Sequence, residues 1–238
     1  MLILAIDSST PVAGIALMDD EQLIREEFVN YKKNHSETLM PMVDRVLRDC
    51  ERNLAEVDAL AVTIGPGSFT GLRIGLAAVK GLSLAANIPV VAISTLQVLA
   101  HNIAGSDTLV CPALNARKQE VYTAMYDNSS SFPRTVVEEM ACSPKVLAYR
   151  ALQTAQNMGF KRITLLGDGY APYREVYKEH LGDYLIEAPL HLRLPRASAL
   201  ASLAVASTAL QDFADIMNLR PHYVRLSEAE TRLGRGEL

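Results

Sequence analysis

The chain has 238 residues, of which 49% are hydrophobic and 21% charged, with a mean hydropathy near +0.10. That composition excludes disorder, collagen-like repeats and low-complexity scaffolds, and the length suits one large domain or two smaller units. Lys and Arg number 23 against 27 Asp and Glu, a net charge of -4, so the broad electropositive footprint of a general nucleic-acid binder is missing.

In chain order, the first thirty residues predict three strands at 2–6, 12–18 and 22–30, separated by the turn-forming strings DSSTP and DDE. A helix is expected over 36–52, with Leu39, Met42, Val43, Val46, Leu47 and Cys50 at three-and-four spacing. Residues 58–63 predict a buried strand running into GPGSFTG, where Ser68 or Thr70 can cap a helix over 71–87. A strand at 88–94 and a short helix from Thr95 complete a first unit. Two strand–helix–strand crossovers after a three-strand meander imply a mixed α/β sheet.

The string NIAGSDT marks a boundary, so the expected units are 1–104, 105–220 and a tail at 221–238. Residues 1–104 carry 8 basic and 12 acidic groups, and 105–220 carry 12 of each. The second unit restarts with strands at 109–115 and 120–126, then a helix capped by Ser143 with Pro144 at its first position. A strand at 162–167 and helices at 170–181 and 197–217 follow, with no strong internal repeat. The apolar start is cut by Asp7 without a basic region before it, and the stretch 71–94 is broken by Arg73, Lys80, Asn87 and Pro89. Neither a signal peptide nor a membrane span is expected. Three widely spaced cysteines, Cys50, Cys111 and Cys142, form no CxxC, which fits a reducing cytoplasm.

Three features compete for chemistry. The turn from Asp7 to Thr10 after the first strand resembles the phosphate-binding turn of the actin, Hsp70 and sugar-kinase superfamily, in which an Asp organises a metal and a following glycine lets backbone N–H groups approach phosphate; here Ser9 stands at that glycine. Asp7 and Ser9 are thus the weak candidates for a cofactor, and a plain polar turn competes with them. GPGSFTGLR, with Gly65, Gly67, Ser68, Phe69, Thr70, Gly71 and Arg73, lacks the Gly-Lys-Ser/Thr of a Walker loop and misses GxGxxG at Thr70. A tight turn with close helix packing is its plainer reading. Gly167-Asp168-Gly169 reads as a turn that could touch a ligand.

The helix over 71–87 carries two charges only, Arg73 and Lys80. Leu72, Leu76, Val79 and Ser83 can cover its own sheet, leaving Ile74, Ala77, Ala78, Gly81 and Ala85 as a second small apolar stripe. Burial within the domain and a subunit interface shared with the helix 36–52 both remain open for it. Metal chemistry is poorly served, since His35, His101, His180, His191 and His222 include no pair at three or four spacing. A glycine-rich turn that would hold adenosine in the last third of an actin-like kinase is also absent, with no glycine between Gly182 and Gly234.

ILAIDSS (3–9), HSETLMPMVDRVL (35–47), GPGSFTGLRIG (65–75), IPVVAISTL (88–96), NARKQEVY (115–122), GDG (167–169) and RPHYVRLSEAE (220–230) together closely resemble the bacterial TsaB (YeaZ) family. The resemblance implies the actin/Hsp70/sugar-kinase-like ATPase fold, with two mixed-sheet subdomains. It implies a role in making N6-threonylcarbamoyladenosine in tRNA, as the non-catalytic partner of a TsaD-type transferase supplied by a TsaC-type enzyme, with a TsaE-type ATPase and tRNA joining the complex. The same surface is expected to serve homodimer and TsaD partner. It maps to Leu39, Met42, Val43, Val46, Leu47, Ile74, Ala77, Ala78 and Gly81. No catalytic residue, metal or cofactor of its own is expected, and ATP belongs, if anywhere, to the assembled complex. The HxxxH metal ligands of TsaD relatives fall here on Thr95 and Leu99. Arg73 and Arg117 are weak candidates for RNA contact. A small-molecule kinase or ATPase built on Asp7, and a glycoprotease-like peptidase, are the alternatives.

Overall fold

The computed structural model describes residues 1–31 and 34–225. Strands β1 (Leu2–Asp7), β2 (Ala13–Asp19) and β3 (Gln22–Val29) form the expected meander, followed by α1 (His35–Asp49), β4 (Ala59–Gly65), α2 (Phe69–Ala86), β5 (Val90–Ser94) and α3 (Thr95–His101). The chain then repeats the pattern with β6 (Leu109–Asn115), β7 (Val121–Asp127), β8 (Arg134–Cys142), α4 (Pro144–Met158), β9 (Ile163–Leu166), α5 (Arg174–Leu181), β10 (Leu185–Glu187) and α6 (Ala197–Ala209).

The two sheets have one topology. The first runs β3-β2-β1-β4-β5 and the second β8-β7-β6-β9-β10, each with antiparallel neighbours on one side of the central strand and parallel ones on the other. A duplication invisible in the residues is therefore plain in the backbone. Strand β8 is missing from the sequence expectations because TVVEEMAC is half-buried, sets two glutamates side by side and so shows no clean alternation.

Alternation along β1 and β2 sends Leu4, Ile6, Ile15 and Leu17 to one face under α1 and α2, and Ile3, Ala5 and Ala16 to the other. That other face is covered by α6, through Ala197, Leu200, Ala201 and Ala204. In the second lobe α4 and α5 cover one face, and the other receives Leu96, Leu99 and Ala100 of α3 against Val110, Leu114 and Leu166. Each lobe thus lends its last helix to the other lobe's sheet. His101 Nε2 lies 3.0 Å from Ser202 Oγ, joining the two exchanged helices, and Asn102 donates to the carbonyls of Leu192 and Leu194, in the segment before α6, at 2.9 and 2.8 Å.

The sequence leaves open which sheet the helix after residue 197 covers; in the structure α6, although it falls within 105–220, packs on β1 and β2 of the first sheet. The helix expected to reach 217 ends at Ala209, where Gln211 takes a positive φ of 56° and the chain turns back to donate from Ala214 N to Val90 O at 2.8 Å. Of the tail at 221–238, residues 226–238 lie outside the described residues.

Helix α2 has 18 residues and a hydropathy of 1.3, long and apolar enough to cross a membrane on those two counts alone. Here Gly71, Leu72, Gly75, Leu76, Val79 and Ser83 are buried against its own sheet.

Helix α6 has no capping side chain of its own at Arg196; Glu26 on β3 does that work. Its Oε1 accepts from Ser198 N at 3.1 Å, Ser198 Oγ at 3.0 Å and Arg196 Nε at 3.2 Å. Replacing Glu26 by Ala strands these donors and should cost about 2 kcal/mol in urea unfolding. A loss below about 0.5 kcal/mol, the range of inert surface changes, would mean that the apolar face alone holds α6.

Candidate functional site

The DSST turn and the GPGSFTG loop form one closed unit. Asp7, Ser8, Ser9 and Thr10 are only 0–3% exposed. Asp7 Oδ1 accepts from Ser9 N at 2.9 Å, Ser9 Oγ at 2.7 Å and Thr63 Oγ1 at 2.6 Å, while Oδ2 is buried without a partner. Ser68 N donates to Ser9 O at 2.7 Å, and Ser8 Oγ donates to Gly71 O at 2.9 Å. Of the two capping candidates the helix uses Ser68, whose Oγ accepts from Gly71 N at 3.2 Å.

The glycines explain themselves by distance. A Cβ on Gly67 would lie 2.2 Å from Ser9 O, one on Gly71 2.1 Å from Ser8 O, and one on Gly75 2.4 Å from Ser8 Oγ. The close backbone approach expected of the four-residue spacing is therefore made within the chain, between α2 and the turn after β1. In this structure the hydroxyls of Ser8, Ser9 and Thr10, with Ser9 N and Ser9 O, are all hydrogen-bonded within the chain and covered by the loop. The second lobe repeats the device. A Cβ on Gly167 would lie 2.1 Å from Ala113 O, and Gly169 N donates to that carbonyl at 2.9 Å. Asp168 Oδ1 accepts from Asn115 N at 2.9 Å, and burial raises its pKa. The lack of glycine after Gly182 consequently says less than the sequence suggests, since the loop matching GPG by topology is Gly167-Asp168-Gly169.

The proposed interface residues divide sharply. Leu39, Met42, Val43, Val46 and Leu47 are 0–8% exposed and belong to the core under β1 and β2, so they are not free to meet a partner. Their spacing marks the inward face of α1, and the outward face carries Asp44, Arg45 and Arg48. Ile74 and Ala78 are half-buried against the same core. Ala77 and Gly81 are exposed, and with Leu84, 66% exposed, and Ala85 they make an apolar stripe along α2. A Cβ on Gly81 would meet nothing within 4 Å.

Between the lobes lies a cluster the sequence does not announce. Ser94 caps α3, accepting from Leu96 N at 3.1 Å and Gln97 N at 3.3 Å, and donates a short hydrogen bond to Glu139 Oε1 on β8. Glu139 Oε2 lies 3.2 Å from His222 Nε2. The carboxylate sits between serine and imidazole, so the imidazole is not in place to take the serine's proton, and no hydrolase triad results. Thr95 and Leu99 are fully buried, Leu99 within the apolar layer shared with the second sheet. Among the described residues, no three His, Cys, Asp or Glu side chains converge to hold a metal ion. Arg73 is taken up by Phe69 and Tyr223, and Arg117 is exposed at a turn where Arg117, Lys118 and Gln119 all have positive φ.

Comparison with known proteins places this arrangement. The family model described as TsaD, tRNA N6-adenosine threonylcarbamoyltransferase, matches residues 23–233. The tRNA threonylcarbamoyladenosine biosynthesis protein TsaB of Bacillus subtilis (strain 168) is 33% identical over 232 residues, 98% of this chain and 97% of that protein. The chain belongs to the TsaB family. The TsaB protein of Escherichia coli (strain K12) is 29% identical over 98% of both chains. The solved structure of YeaZ from Pseudomonas aeruginosa superposes with a TM-score of 0.79 at 28% identity, over 93% of this chain and 99% of that one. The activator of 2-hydroxyisocaproyl-CoA dehydratase from Clostridium difficile, at 10% identity and a TM-score of 0.52 over 89% of this chain and 97% of that one, shares the fold alone. The two-lobed actin-like ATPase fold expected from the resemblance is thus the fold observed.

Two outcomes follow from this geometry. Gly67→Ala should destabilise the chain by about 1–3 kcal/mol or prevent folding, because the obstacle is a backbone carbonyl that no rotamer change removes; an unchanged Tm would refute the closed loop. Burial raises the Glu139 pKa above 4.5, opposed by the Ser94 hydrogen bond and His222. The native state then holds the proton more tightly, so this group's contribution to stability is fully present below about pH 4.5 and lost as pH rises through the raised value. Glu139→Gln should remove that loss, its Tm gaining on wild type between pH 4 and 7; a gap that widens against the variant would contradict the burial account.

Proposed function

We propose that this TsaB-family chain is a non-catalytic partner of a TsaD-type threonylcarbamoyl transferase, required for N6-threonylcarbamoyladenosine in tRNA beside the anticodon. The observation that carries this reading is a pairing of opposites: the turn that would serve phosphate chemistry is filled by the chain itself, while the apolar stripe of α2 is left uncovered. The partner meets Ala77, Gly81, Leu84 and Ala85, with Arg73 at the head of the stripe; a second copy of the chain competes for the same face. A stable complex of this kind buries about 1,200–2,000 Å², so residues flanking α2 must contribute as well. The TsaE-type ATPase and tRNA join through the assembled complex, and any ATP belongs there.

The test is reconstitution with tRNA, threonine, bicarbonate, ATP and TsaC-, TsaD- and TsaE-type proteins, with and without this chain, reading modified adenosine by mass spectrometry. Modification should vanish on omission, and the chain alone should produce none. Persistence without it would overturn the reading.

The corrected interface has its own signature. Ala77→Arg puts a charge on the stripe at an exposed position and should abolish association while leaving the Tm within a few degrees. Gly81→Ala should stabilise the isolated helix by about 1 kcal/mol, since Ala is the better helix former and its methyl has room. The same methyl should weaken association if a partner backbone approaches there. Unchanged association in both variants, measured by titration calorimetry with the TsaD-type protein, would remove α2 from the interface.

A further inference from the structure

We infer that residues 220–225 form a strap that is seated on the GPGSFTGLR motif and latches the two lobes to one another. The strap is anchored upstream by Ile216 and Leu219, which pack against the first-lobe core. His222 N donates to Ile64 O at 2.7 Å, at the end of β4. Gly65 has a φ of +120°, and a Cβ there would lie 2.6 Å from His222 O, so the first glycine of the motif makes room for the strap's backbone. Tyr223 stacks on Phe69 with ring centroids 5.3 Å apart and planes at 25°. Arg73 donates from Nε to the Tyr223 hydroxyl at 3.1 Å, and its guanidinium lies 3.9 Å from the centroid of Phe69.

Three motif residues that the closed DSST contact does not use, Gly65, Phe69 and Arg73, therefore serve the strap. The far side of the strap belongs to the second lobe. His222 faces Glu139 at 3.2 Å on β8, and Arg225 donates from one terminal nitrogen to Glu120 Oε2 at 2.6 Å and from the other to Ala116 O at 3.3 Å. Three residues within a run of four, His222, Tyr223 and Arg225, thus touch β4 and α2 in one lobe and β8 and the β6–β7 turn in the other. The exchanged helices α3 and α6 join the lobes through buried faces, whereas the strap joins them by polar and aromatic contacts that are largely accessible to water, His222 being 54% exposed in its side chain. Contacts of this kind open at far lower free-energy cost than the sheets they connect. Because the strap grips Phe69 and Arg73, its docking also orders the first turn of α2, the helix that carries the exposed stripe.

The experiment is hydrogen exchange with mass-spectrometric readout on the full isolated chain, which needs no partner and so stands or falls apart from the proposed function. In Tyr223→Ala combined with Arg225→Ala, amides over 64–73 and 116–120 should exchange at least fivefold faster, and the radius of gyration by small-angle scattering should rise. Amides at the centres of β1 and β6 should keep their protection. Glu120→Gln, which weakens only the second-lobe anchor, should speed exchange at 116–120 while leaving 64–73 protected under Tyr223. Unchanged exchange at both segments in the double variant would overturn the strap, and an equal rise at the sheet centres would show it to be part of the cooperative core and no latch.

Discussion

The contact of Gly67 and Gly71 with the carbonyl oxygens of Ser9 and Ser8 sets where α2 starts and how closely it lies on the sheet. With Cβ atoms absent from these positions, helix and turn meet backbone to backbone, and Ser68 N and Ser8 Oγ complete the join with hydrogen bonds. Three properties of the molecule follow from it. The DSST turn is sealed, so its buried carboxylate at Asp7 organises Ser9 and Thr63 within the protein. The inner side of α2 is used up, which leaves Ala77, Gly81, Leu84 and Ala85 as its outer stripe. The head of the helix, with Phe69 and Arg73, is placed where Tyr223 can reach it.

The second constraint is the exchange of α3 and α6. Each is short and built largely from Ala, Leu and other small or apolar residues, and each lies on the sheet of the lobe to which it does not belong in sequence. An arrangement of this kind ties the lobes through their cores: one side of α6 meets β1 and β2, and its Ser202 meets His101 on α3. The two lobes share one topology and one way of closing the loop after the fourth strand, by a glycine pressed on a carbonyl at the end of the first, at Gly67 over Ser9 and at Gly167 over Ala113.

Much of this was legible in the residues because the signals are local. Strand alternation in β1 and β2, the Ser143-Pro144 helix start and the glycine spacing in α2 each depend on neighbours a few positions apart. The inward face of α1 was legible as well, but helical periodicity marks an apolar face without saying what covers it, and the cover is the chain's own sheet rather than a partner. The Ser94, Glu139 and His222 cluster was not legible, since its members lie 45 and 83 positions apart and none carries a motif. Strand β8 escaped for the same reason that Glu139 did: an edge strand with half-buried side chains has no strict period. The topological repeat left no trace because the two lobes meet the same backbone demands with different side chains.

Under the proposed function, the chain docks through α2 while its DSST turn stays closed. The most direct measurement is hydrogen exchange on the chain alone, with ATP, and with a TsaD-type partner. Protection should appear over 73–85 when the partner is added, and ATP alone should leave 7–10 unchanged. Protection of 7–10 by ATP alone, with 73–85 indifferent to the partner, would contradict it.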